Sequence, residues 1–155
     1  MPIRDVSEMD LEAARFAREL APRTDRATVV TLSGELGAGK TAFVKALAKE
    51  LGVAEHVTSP TFVIMKIYDL EAQKFSRLVH IDAYRLKGEH HLKVLDWDDL
   101  LADPQNLICM EWPEQAGEAV PKDAIRIALR YSGGDERTIS YEGLEGKKPE
   151  TVGTT

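Results

Sequence analysis

One cysteine, Cys109, stands alone in 155 residues, so neither an internal disulfide nor a cysteine-rich metal site is available. No apolar run approaches the ~20 residues of a membrane-crossing helix, and the opening MPIRDVSEMD lacks the apolar core of a signal peptide. These absences lead to the expectation of a cytoplasmic protein with no membrane partner. Positive charge is also short: the net charge is −6, and no Lys/Arg cluster gives the basic footprint of a nucleic-acid binder. If nucleic acid is involved, a partner holds it. No N-K-x-D element follows an apolar strand, so guanine specificity has no support. No Ser/His/Asp or Cys/His nucleophile arrangement is visible, and there is no internal repeat. What remains is 43% hydrophobic and 30% charged residues, the composition of one ordinary globular domain.

The informative stretch is 29–41, VVTLSGELGAGKT. Val29 to Leu32 is a short β-branched run and reads as a buried strand. Gly34, Gly39, Lys40 and Thr41 then spell G-x-x-x-x-G-K-T, followed at once by an amphipathic run. Strand, glycine loop and helix are the context that a phosphate-binding loop needs. Glycines at 34, 37 and 39 let the backbone curl so that successive N–H groups of Glu35, Leu36, Gly37, Ala38 and Gly39 point inward at phosphate oxygens. The helix start adds free N–H groups and a positive dipole end. Lys40 is placed to reach the β- and γ-phosphates, and the Thr41 hydroxyl to ligate Mg²⁺.

Around this loop the chain reads as follows. Ser7 to Leu20 is a helix, with Ser7 as its cap and Asp10 as a partial capping box. A second helix runs from about Thr41 to Leu51 and ends at Gly52. Thr58-Ser59-Pro60-Thr61 is either a switch-like loop sensing the γ-phosphate or a plain turn. Phe62–Leu70 and Phe75–Ala83 are strands joined so tightly that they are antiparallel, which makes the sheet mixed. Residues 86–102 are acidic and helical in pieces, and Asp96, Asp98 and Asp99 form a solvated face. Pro121–Tyr131 and Arg137–Tyr141 form a second hairpin. Residues 1–142 are expected to form the domain and 143–155 a disordered tail.

Two carboxylates end apolar strands. Asp82 closes LVHID, and Glu111 closes NLICME. A buried strand-end acid is costly unless paired or set to a metal, and apolar strand then acid is the Walker B arrangement. Alternation puts His80, Asp82 and Tyr84 on one face; His80 alone reads as structural. Arg85 pairs with an acid or touches phosphate. Trp112 is core, site or partner contact. The constellation describes a Mg-nucleoside-triphosphate hydrolase or transferase. The acidic 86–102 stretch is unlike the arginine-rich lid of a small-molecule kinase, which stands as the alternative.

GELGAGKT at 34–41, TSPTF at 58–62, HIDAYR at 80–85 and MEWPEQ at 110–115 together resemble the TsaE (YjeE) family of bacterial P-loop ATPases. The resemblance runs from about Val6 to Tyr141. It implies a single-domain α/β P-loop NTPase with a mixed sheet flanked by helices. It implies ATP and Mg²⁺ as cofactors, slow hydrolysis, and a role in forming the threonylcarbamoyl modification of tRNA adenosine beside the anticodon. It implies TsaD and TsaB as partners, with tRNA met only through TsaD. Carried over by position, Lys40 is the phosphate lysine, Thr41 and Glu111 are the Mg²⁺ ligands, and Asp82 is the acid needed for activity. Trp112 follows the Walker B acid, and Thr61 lies in the switch-like loop. Ala42 departs from a pattern that often has a second threonine there.

Overall fold

The computed structural model describes residues 2–35, 37–53, 65–71, 73–86, 92, 95–134 and 136–143. Its elements are β1 (Pro2–Ile3), α1 (Val6–Glu19), β2 (Thr28–Ser33), α2 (Lys40–Glu50), β3 (Met65–Asp69), β4 (Arg77–Asp82), α3 (Trp97–Ala102), β5 (Asn106–Glu111), β6 (Ile125–Gly133) and β7 (Glu136–Glu142). Residues 144–155 of the expected tail, Thr58 to Thr61 of the hydroxyl loop and Leu36 of the glycine loop lie outside the described residues.

Seven strands form one mixed sheet in the order β1-β7-β6-β2-β5-β4-β3. The β6-β2-β5-β4 centre is parallel, and β3 and β7 add antiparallel edges, with β1 paired antiparallel to β7. The central strands are buried on both faces, which is why β2 and β5 read as continuous apolar runs rather than alternating ones. In β6, Ile125, Ile127 and Leu129 are buried and alternate with exposed Arg126 and Arg130. The β3–β4 hairpin is antiparallel, as its short connection requires.

Helices cover both faces. On one, α1 and α2 bury Phe16 and Phe43 edge to face, 5.6 Å between ring centres, with Tyr141 stacked on Phe16 at 5.5 Å. On the other, Trp97 of α3 joins Val29, Val79, Ile81, Ile108 and Met110. The α2 helix closes as the sequence predicts: Gly52 is left-handed at φ 87°, and its N–H and that of Val53 bond the carbonyls of Lys49 and Ala48.

Three details differ from the sequence reading, the first being that β6 starts at Ile125, with Pro121 to Ala124 forming a turn instead of strand. The α1 cap is Asp5, whose carboxylate accepts from the Glu8 N–H at 2.9 Å, while Glu8 reaches back to the Arg4 N–H at 2.6 Å. Asp5 and Glu8 have the spacing and the long third-position acid of a capping box; Ser7 and Asp10 offer a shorter acid that reaches back less well. The edge strand β1 has only two residues, too few to leave a period in the sequence.

Candidate functional site

The parallel register aligns the carboxyl ends of three strands: Leu32 of β2 and Asp82 of β4 both stand beside Glu111 of β5. Ligands of open α/β sheets bind at that end. The glycine loop leaves β2 there. Gly34 has φ 147°, and a Cβ on it would lie 2.3 Å from the Leu129 carbonyl oxygen, so no other residue fits without moving β6. Gly37 and Gly39 are also left-handed, at φ 83° and 106°. Gly39 occupies the cap position of α2 with no side chain over the helix start, leaving the N–H groups of the first turn open to an anion. The loop is braced from outside. Tyr131 donates its N–H to Glu35 Oε1 at 3.3 Å, and Arg137 Nε donates to the Gly37 carbonyl at 3.1 Å.

Lys40 is only 5% exposed. Its Nζ donates to the carbonyls of Gly34 at 2.6 Å and Glu35 at 3.0 Å, and lies 4.1 Å from the centre of the Trp112 ring. Burial lowers its pKa from the ordinary lysine value, while the carboxylates of Glu111, Asp82, Glu114 and Glu35 act in the opposite sense. This is a buried cation whose direct hydrogen bonds are to backbone carbonyls, with carboxylates nearby.

Thr41 Oγ1 donates to both carboxylate oxygens of Glu111, at 3.0 and 2.9 Å. Glu111 is 3% exposed and is bonded a third time, to His80 Nε2 at 2.7 Å. Asp82, beside Glu111 in the neighbouring strand, accepts the Tyr84 N–H at 3.0 Å. Trp112 turns the chain away from the site in a left-handed conformation, φ 58°, and its ring meets Tyr84 at 5.0 Å.

The structure therefore brings Gly37, Ala38, Gly39, Lys40, Thr41, Asp82, Glu111 and Trp112 to one end of the sheet, with Glu35 in the loop wall. Leu36 and Thr61 fall outside the described residues. His80, read from sequence as structural, is in direct contact with Glu111. Alternation along one strand places His80 and Asp82 on one face, but the contact with Glu111 depends on strand order, which alternation does not give.

A cavity of about 440 Å³ opens beside Gly39 and Ala42, between the starts of α1 and α2, lined also by Ile3, Val6, Met9 and Arg137. A larger groove of about 940 Å³ lies at the opposite, amino end of β2. Several of its charges pair with each other: Arg23 with Asp25 and Asp123, and Arg26 with Asp123. Size alone does not make it the site.

The fold and this strand-end cluster define a single α/β domain built around a glycine-rich loop. Residues 7–139 match the family model described as threonylcarbamoyl adenosine biosynthesis protein TsaE. The chain is 41% identical to the tRNA threonylcarbamoyladenosine biosynthesis protein TsaE of Streptomyces coelicolor, over 83% of this chain and 88% of that protein. It is 34% identical to the TsaE of Bacillus subtilis, over 86% of this chain and 80% of that one, and 32% identical to the TsaE of Treponema pallidum, over 89% and 98%. The crystal structure of Bacillus subtilis YdiB superposes with a TM-score of 0.71 at 28% identity, covering 93% of this chain and 84% of YdiB. The chain belongs to the TsaE family, and its role lies in the biosynthesis of threonylcarbamoyladenosine in tRNA. Among the described residues no helix is long and apolar enough to cross a membrane.

Proposed function

We propose that this chain is a Mg²⁺-dependent ATPase of the cytoplasm, whose turnover acts on a TsaB–TsaD complex and lets it modify tRNA repeatedly. The observation that carries this reading is the bond from Thr41 to both oxygens of Glu111, next in the chain to buried Lys40, whose Nζ donates to backbone carbonyls. Among the described residues no group of three His, Cys, Asp or Glu side chains stands ready to hold a metal. Mg²⁺ needs no such group, because it commonly takes one or two protein oxygens and completes its shell with phosphate and water. Thr41 and Glu111 are the hard-oxygen pair that would hold it. When bound, the ion supplies charge neutralisation for the phosphates.

The chain's own residues do the rest. The open N–H groups of the glycine loop and the α2 start bind the phosphates, and Lys40 exchanges carbonyl dipoles for a phosphate anion. Asp82 and Glu111 place negative charge where an attacking water needs orienting. The 440 Å³ cavity past Ala42 is the place for the base, walled by Val6 and Met9 of α1 and by Arg137. The net charge of −6 suits a protein that leaves the tRNA to TsaD.

The test is reconstitution with purified TsaB, TsaD and a TsaC-type synthase, counting modified tRNA per TsaD with and without this chain. Several turnovers only in its presence, lost in Glu111→Ala, support the reading. A yield indifferent to the chain, with phosphate passed from ATP to a small metabolite instead, overturns it in favour of a kinase.

A further inference from the structure

His80 is fully buried on β4, between Val79 and Ile81. A core position this apolar rarely takes an imidazole unless its polar atoms are used. The register pairs His80 with Cys109 and Asp82 with Glu111, so the imidazole lies on the face that carries the Glu111 carboxylate, one pleat back from it. Nε2 is 2.7 Å from Glu111 Oε2, whereas Nδ1 has no hydrogen-bond partner among the described residues. An ionised carboxylate only accepts, so Nε2 carries the proton of this pair. A proton on Nδ1 in its place would leave a buried donor unmet and set two acceptors face to face.

Glu111 ends its strand with its carboxylate held between Thr41 and His80. The Thr41 hydroxyl has one proton to share between two oxygens, whereas the imidazole contact is made to Oε2 alone. We infer that His80 is a positioning residue, whose Nε2–H donation to Oε2 keeps the Glu111 carboxylate facing Thr41 and so tightens the hold of that pair on Mg²⁺. The inference rests on the Mg-nucleotide reading for its consequence, and on the bond itself for its cause. Groups that orient a metal ligand in this way change metal affinity by about 10–100-fold when lost.

Two measurements decide it. The first is the tautomer in the wild-type protein, from two-bond proton–nitrogen correlation of the imidazoles, the His80 signals being those missing from His80→Gln. The expected result is the Nε2–H form; an Nδ1–H form overturns the inference whatever the protein's activity. The second is the Mg²⁺ concentration for half-saturation at fixed ATP, with nucleotide affinity measured separately in EDTA. His80→Leu should raise the Mg²⁺ half-saturation about ten-fold or more while leaving affinity in EDTA unchanged, and His80→Gln, which restores an N–H near the Nε2 position, should return it to within about three-fold of wild type. If His80→Leu does not fold, the tautomer and the Gln variant decide. A folded His80→Leu with unchanged Mg²⁺ dependence reduces His80 to core packing. A wild type with no Mg²⁺-dependent nucleotide binding, unaffected by Glu111→Ala, sinks the functional reading instead and leaves the tautomer result standing.

Discussion

Cys109 shows how far the dry interior reaches toward the site. It is buried in β5, two residues before Glu111, and burial together with that carboxylate pushes its thiol up to about 12. A proton kept in the folded state and lost in the unfolded one makes stability fall as pH climbs from about 9, the ordinary thiol value, toward about 12. The expected outcome is slow labelling of the native protein by a thiol reagent at pH 8.5, with a rate that follows unfolding rather than thiolate fraction; fast labelling in native buffer would contradict the packing. Gly34 makes the opposite demand, for space. Gly34→Ala forces a methyl against the Leu129 carbonyl in a left-handed conformation, so it should lower the melting temperature and abolish nucleotide binding, read by thermal melts and calorimetry. That Lys40 and Thr41 start the helix after β2 and that Glu111 ends β5 is legible in the sequence, because each follows an apolar run at a local spacing. The His80–Glu111 contact is not, because it is made between side chains 31 positions apart in the chain.

The elements are legible wherever a period or a punctuating residue marks them. The apolar runs of β2 and β5, the alternation in β6 and Gly52 after α2 each leave a local trace that survives folding. The α1 cap falls two residues earlier than Ser7, since two acceptable cap patterns overlap and the longer acid wins. What fixes α1 onto the sheet leaves no such trace. Glu12, 3% exposed, accepts from the Tyr141 hydroxyl of β7 and from Arg15. Burial and the neighbouring carboxylate raise the Tyr141 pKa, so the hydroxyl remains a donor through the alkaline range. Tyr141→Phe keeps the ring stacked on Phe16 and removes only that donor, leaving the buried Glu12 carboxylate to Arg15 alone among the described residues. The expected cost is about 1–3 kcal/mol by denaturant titration. Because α1 walls the cavity assigned to the base, nucleotide affinity should fall in the same variant. A loss of stability with unchanged affinity would show that the α1 start is held by its cap and β1 alone.

At the scale of the molecule, seven strands and their helices gather charge at one end of the sheet. Lys40, Asp82 and Glu111 sit within one end of a core that is apolar almost everywhere else, and the fold supplies the rigidity that keeps the lysine on carbonyls rather than on a carboxylate. Such a site stabilises the whole chain when its ligand arrives. On the proposed reading, MgATP at about a hundred times its dissociation constant should add about 2.7 kcal/mol to the folded state, or about 5–10 °C in melting temperature for a domain of this length. Mg²⁺ alone should do little, because among the described residues no three acids, histidines or cysteines gather to hold it without phosphate. ATP in EDTA should give only part of the shift. Glu111→Ala should show the ATP part and none of the Mg²⁺ part, whereas Lys40→Met should lose most of both. A full thermal shift from Mg²⁺ alone, or the same shift in wild type and Glu111→Ala, would separate the carboxylate from the metal and move Glu111 from ligand to structural acid.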